Sequence, residues 1–118
     1  MDGITVEMIP TDHAGTVVLK PIGSIDSSTT HVLESQIKSA MDQQNNRIVI
    51  DFSGTDFISS AGLGIFLGTV SLLRNRGGDL LFMKVPDHIA EVFDIINLQS
   101  YFVTVESIDD IATVEQRQ

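Results

Sequence analysis

Ser59 and Ser60 stand side by side in "DFISSAGLG" (residues 56–64), where an apolar run gives way to a glycine-rich segment. A hydroxyl at a strand-to-helix boundary can do two kinds of work. It can accept a hydrogen bond from one of the free backbone N–H groups of the first helical turn. It can also carry a phosphoryl group, because the positive end of the helix favours the added negative charge. Capping preference alone favours the first role, and a phosphoacceptor needs a further argument.

The other chemistry-bearing residues do not complete a catalytic or cofactor pattern. After Gly62 and Gly64, a dinucleotide fingerprint requires a third glycine where Leu67 stands. A P-loop requires Lys and then Ser or Thr after its last glycine, yet Gly68 is followed by Thr69 and Val70. Gly62 suits Ser60 as the nucleophile of a hydrolase elbow, but Ile58 occupies the position of the first glycine. His13, His31 and His88 fall in a turn and near two helix starts, with no second histidine at metal-binding spacing, so surface positions are expected. Asp51 and Asp56 flank a turn, where aspartate commonly serves as a hydrogen-bonding residue. A small hydrolase using Ser60 is the rival from the enzyme class, but no histidine is positioned by sequence to activate it. No catalytic residue, metal or cofactor is therefore expected.

The elements that must position the serines follow from periodicity. "ITVEM" (residues 4–8) alternates as a strand with one wet face does, and "TVVLKPIG" (16–23) follows a short turn, so the two form an antiparallel hairpin. Pro21 belongs at a strand end or on an edge, since it cannot donate to a ladder. Asp26, Ser27 and Ser28 are candidate caps for a helix whose apolar stripe is Val32, Leu33, Ile37, Ala40 and Met41. The run Ile48 to Ile50 reads as a strand covered on both faces.

The helix after the serines repeats Leu63, Phe66, Leu67, Val70 and Leu73 and stops at Gly77 and Gly78. Then come a strand at "DLLFMKV", a helix opened by Pro86 and Asp87, a strand at "YFVTVE", and a short fourth helix from Ser107. The order β-β-α-β-α-β-α-β-α implies an α/β fold with about four helices: a hairpin, then βαβ units with right-handed crossovers in a mixed sheet. Ala61, Gly64, Gly68 and Ser71 share one face of the second helix. Tight packing of that face on the sheet is favoured over a groove for a partner.

Bulk composition narrows the function classes. The 118 residues suit one domain, spanning 1–118, and 42% apolar content suits a globular core. Sixteen acidic residues against seven Lys and Arg give a formal charge of -9, which disfavours nucleic acid and anionic membranes as partners. The absence of cysteine excludes disulfides, thiolate catalysis and cysteine-ligated zinc. "MDGITVEMIP" lacks the basic start and apolar core of a secretory signal, and no stretch is long enough to span a membrane, so a cytoplasmic protein is expected.

"GSIDSSTTHVL", followed by "RIVIDFSGTDFISSAGLGIFLGTVSLLRNRGGDLLFMKVPDHIAEVFDIINL", resembles the STAS domain family, in particular the bacterial anti-sigma factor antagonists. A strand ending in Asp, the Ser-small-Gly-Leu-Gly helix start, the Gly-Gly stop and the late helix occur in family order. The likeness extends from Ile4 to about Glu106. It implies a non-enzymatic binding protein. Its partners would be an anti-sigma factor that is a serine kinase of the histidine-kinase-like ATPase type, and a metal-dependent serine phosphatase.

In that family the unphosphorylated antagonist binds the anti-sigma factor and frees the sigma factor, and phosphorylation switches binding off. The resemblance places the phosphoacceptor at Ser60, with Ser59 as the alternative. It places the acidic residue beside the acceptor at Asp26, and the docking face on Asp26, Ser27, Ser59, Ser60, Ala61, Gly62, Leu63 and Gly64. Most such antagonists carry Asp immediately before the acceptor, and this chain carries Ser59 instead. A constitutive STAS subunit of a transporter-associated or stress-signalling complex, without a phospho-switch, is the alternative within the family. Homodimerisation is left open.

Overall fold

The computed structural model describes residues 3–98 and 100–110. Strands β1 (Thr5–Pro10) and β2 (Thr16–Ile25) form the expected antiparallel hairpin. They are followed by α1 (Thr30–Asp42), β3 (Arg47–Asp51), β4 (Thr55–Ile58), α2 (Ser60–Asn75), β5 (Asp79–Met83), α3 (Asp87–Ile95) and β6 (Val103–Val105). The sheet runs β1-β2-β3-β5-β6, with every pair after the hairpin parallel, and β4 pairs with β2 off this path.

Two features depart from the sequence reading of the elements. Strand β4 is an element that the sequence reading does not include; only its first residue falls in the turn expected between Asp51 and Asp56. The fourth helix expected from Ser107 is a single 3₁₀ turn at Ile108–Asp110, and the rest of that segment, 111–118, lies outside the described residues.

Alternation along the strands sorts side chains into two layers. Val17, Leu19, Ile48, Ile50, Leu80 and Phe82 face the three helices and share a core with Leu33, Ile37, Phe66, Val70, Leu73, Ile89 and Phe93. Val18, Val49, Leu81, Met83 and Val105 form a smaller cluster on the opposite face. β3 and β5 are buried on both sides, as the unbroken apolar run in β3 requires. Phe82 sits among four rings, those of Phe102 at 4.5 Å, Phe52 at 4.9 Å, and Phe66 and Phe93 at 5.3 Å each.

Pro21 is neither at a strand end nor on an edge strand. Its side of β2 pairs with β3 as far as Leu19 and with β4 from Gly23 onward. The Gly23 N–H donates to Gly54 O on that side, so the nitrogen of Pro21, two residues earlier, points the same way. It falls in the gap between two ladders, where no donor is needed, so the general restriction on proline is met inside a central strand.

Helix α2 ends as the Gly-Gly pair demands. Gly77 takes φ +81°, and the N–H groups of Gly77 and Gly78 donate to Arg74 O and Leu73 O at 3.1 and 2.8 Å. Arg74 then fastens this end. Its Nε donates to Asp79 Oδ1 and its Nη2 to Tyr101 O, each at 2.9 Å, and the guanidinium lies 5.0 Å from the centre of the Tyr101 ring.

Candidate functional site

Strands β2 and β4 end in register, Ile25 opposite Ile58, so the chain leaves the sheet at Asp26 and at Ser59 side by side. The Ser59 N–H donates to Ile25 O at 2.8 Å and closes the corner. Gly62 presses on the same point. A Cβ there would lie 2.6 Å from Ile25 Cγ2, 3.0 Å from Ile58 Cγ1 and 3.3 Å from Ile25 O. The first turn of α2 therefore rests directly on the ends of both strands.

The two hydroxyls have different environments. Ser59 is the N-cap, extended at φ -95° and ψ 174°, and its Oγ accepts from the Gly62 N–H over a long 3.4 Å. Its carbonyl accepts the Leu63 N–H at 3.0 Å. Ser60 is the first helical residue and is exposed, and its hydroxyl has no hydrogen-bond partner among the described residues. Capping and a free hydroxyl are thus divided between neighbours.

The loop beside them is locked by its own side chains. Asp26 Oδ1 accepts from the Ser28 hydroxyl at 2.7 Å and from the Ser28 N–H at 2.9 Å. Thr29 Oγ1 accepts the Asp26 N–H at 2.9 Å and donates to Ser24 O at 2.8 Å. The Ser28 hydroxyl, and after it the Ser28 N–H, holds the Asp26 carboxyl below the usual aspartate range. Of the three expected caps of α1, Asp26 closes a turn ahead of the helix, with its carbonyl accepting the N–H groups of Thr29 and Thr30. The helix itself begins at Thr30, and Ser27 is exposed. Ser28 and Thr29 were not singled out as holding Asp26. An Asp followed by hydroxyl residues two and three positions on is the local pattern that carries this information.

The structure corrects one expectation about α2. Ala61, Gly64, Gly68 and Ser71 do not pack on the sheet: all four are exposed, and a Cβ on Gly64 or Gly68 would meet nothing within 4 Å. Gly62 and Leu63, grouped on sequence with the docking residues, are buried and can shape the surface only from beneath. The face actually offered to solvent is Ser27, Ser60, Ala61 and Gly64, with Asp26 and Ser59 half-buried between them.

The remaining candidates are dispersed. His31 and His88 are exposed and His13 is half-buried. Asp51 is buried and accepts the Ser53 N–H at 2.9 Å, and Asp56 is exposed within β4. Among the described residues there is no group of three acidic or histidine side chains able to hold a metal, and no helix is long and apolar enough to cross a membrane.

The family profile of the STAS domain matches residues 7–111. BtrV of Bordetella bronchiseptica, a candidate anti-sigma factor antagonist, is 33% identical over 85 residues, covering 72% of this chain and 73% of its own. The anti-sigma F factor antagonist of Paenibacillus polymyxa is 26% identical over 87 residues, covering 73% of this chain and 74% of its own. The crystal structure of an anti-sigma factor antagonist from Mycobacterium paratuberculosis superposes with a TM-score of 0.79 at 27% identity, across 96% of this chain and 94% of that one.

Proposed function

The chain belongs to the STAS domain family, and from that premise we propose that it is an anti-sigma factor antagonist switched by phosphorylation at Ser60. The names of its relatives support the first part. One observation carries the second: Ser59 is committed to the helix cap, and Ser60 beside it is exposed and unbonded at the positive end of α2. The binding partner is an anti-sigma factor that is also a serine kinase. It transfers the γ-phosphoryl of ATP to Ser60 Oγ, releasing ADP and the hydroxyl proton. A metal-dependent serine phosphatase hydrolyses the phosphoserine with water, restoring the hydroxyl and releasing inorganic phosphate. The chain itself acts by binding rather than by turnover.

The switch works through charge and hydration. A phosphoserine brings roughly 1.5 to 2 negative charges to a surface that a partner must dehydrate. The locked Asp26 loop already places an ionised carboxylate beside the acceptor's turn. Ser60→Glu, or stoichiometric phosphorylation, is expected to weaken binding to the anti-sigma factor kinase encoded in the same genome about a hundredfold, or ~2.7 kcal/mol. Titration calorimetry measures this. Ser60→Ala should keep its affinity and accept no phosphate. Ser59→Ala should still be phosphorylated, with about 1 kcal/mol of stability lost with the cap. Phosphate mapped to Ser59 would move the switch to that residue, and equal affinities with and without phosphate would instead favour a constitutive STAS subunit.

The exposed small-residue face gives a second test. Gly64→Ala and Gly68→Ala enter open space in mid-helix, so each is expected to stabilise the fold by about 0.5–1 kcal/mol. If a partner backbone seats on this face, the same methyl groups lower affinity. Thermal melts rising while binding falls is the expected pair of results.

A further inference from the structure

We infer that Phe57 is the apolar anchor of the Ser60 docking face, fitting a partner that offers an apolar cleft; this rests on the reading of Ser60 given above. Phe57 is 52% exposed, an unusual state for a phenylalanine in a strand that pairs with a central one. Its neighbour Ile58 turns into the helix-side core, so Phe57 points to the opposite face of the sheet. It pairs with Ser24, and Ile22, two residues earlier on the same face of β2, is 38% exposed. Nearer its centre that face is closed over Val18, Val49 and Leu81. The uncovered apolar pair stands at the corner from which the Asp26 loop and Ser59 depart, apart from Ile9, which is 40% exposed at the other end of β1 on the same face.

Its place in the chain ties this patch to the switch. Phe57 precedes Ser60 by three residues, roughly 10 Å at strand spacing. Its cross-strand partner Ser24 accepts the Thr29 hydroxyl that braces the Asp26 loop. A protein that covers Ser60 and Asp26 from this side buries Phe57 as well. Large aromatic side chains in such positions carry a disproportionate share of binding energy. An apolar cleft on the partner also gives phosphorylation its effect, since the phosphate must then be dehydrated against a surface that cannot solvate it.

The test is the affinity of Phe57→Ala and Phe57→Leu for the cognate anti-sigma factor kinase, beside Leu72→Ala as a control. Leu72 is 54% exposed toward the far end of α2 and lies outside the proposed face. Phe57→Ala is expected to weaken binding roughly 10- to 100-fold, with Phe57→Leu intermediate, Leu72→Ala unchanged and all three melting cooperatively. Binding by Phe57→Ala within twofold of the parent, while Ser60→Glu still weakens it about a hundredfold, would overturn the anchor and leave the Ser60 reading intact. Loss of both effects would remove the Ser60 reading as well. A parent homodimer that Phe57→Ala dissociates, with kinase affinity unchanged, would assign the patch to a second copy and equally overturn the inference.

Discussion

Phe82→Ala is expected to lower stability by about 3–5 kcal/mol, a large part of the roughly 5–15 kcal/mol available to a domain of this size. Phe82 is 1% exposed and touches the rings of Phe52, Phe66, Phe93 and Phe102, contributed by the β3 end, α2, α3 and the approach to β6. Removing it deletes one large side chain and the shared partner of four edge and stacked contacts, each worth about 0.5–1.5 kcal/mol beyond burial. No single neighbour can fill the space, because each ring is anchored on a different element. Urea denaturation at unchanged m would show the loss as a lower midpoint. A loss below about 1.5 kcal/mol would mean that the four rings close over the void and are not fixed by their backbones.

The second large effect lies at the other end of α2. Gly78→Ala is expected to cost on the order of 3 kcal/mol or more, at the upper end of overpacking penalties. Its Cβ would stand 1.8 Å from the backbone oxygen of Asn46 and 2.6 Å from its carbonyl carbon. Those atoms cannot swing aside, since Asn46 O also accepts the Asp79 N–H at 3.1 Å where β3 and β5 begin their pairing. Gly77→Ala is the internal comparison. Gly77 has nothing within 4 Å but takes φ +81°, so alanine there should cost only the left-handed backbone penalty of about 1–2 kcal/mol. Chemical denaturation of the two variants separates a steric limit from a conformational one. Equal losses would show that the start of β3 yields.

The hairpin, the parallel crossovers and the three principal helices were legible because each carries a long, unambiguous period. The run Ile48 to Ile50 and the stripe through Leu63, Phe66, Val70 and Leu73 left little choice. β4 was not legible. It has four residues, its burial reads in-out-out-in rather than alternating, and a register shift where it meets β2 breaks the period-two signal. The outward aim of Gly64 and Gly68 was missed for a related reason. Small residues at helical spacing look alike whether they allow close packing or leave room outside, and only the position of the larger stripe relative to the sheet decides. At the site, neighbouring serines differ by one step of chain geometry. Residue type could not say which lies at the cap, whereas the register of Ile25 with Ile58 does.

The handover at Pro21 bears on how such a domain can be redesigned. The ladder of β1, β2, β3, β5 and β6 fixes the register of the body, while β4 forms its strand pairing only with the last residues of β2. The exposed positions of this corner, Ser53, Asp56 and Phe57, can be exchanged without sliding any strand of the body past its neighbour, because register errors do not propagate across the gap, whereas Phe52, Thr55 and Ile58 are buried and must be kept. Recognition is thereby open to variation at three exposed positions that lie outside the core. Grafting alternative β4 segments onto this body is a route to antagonists with new partners.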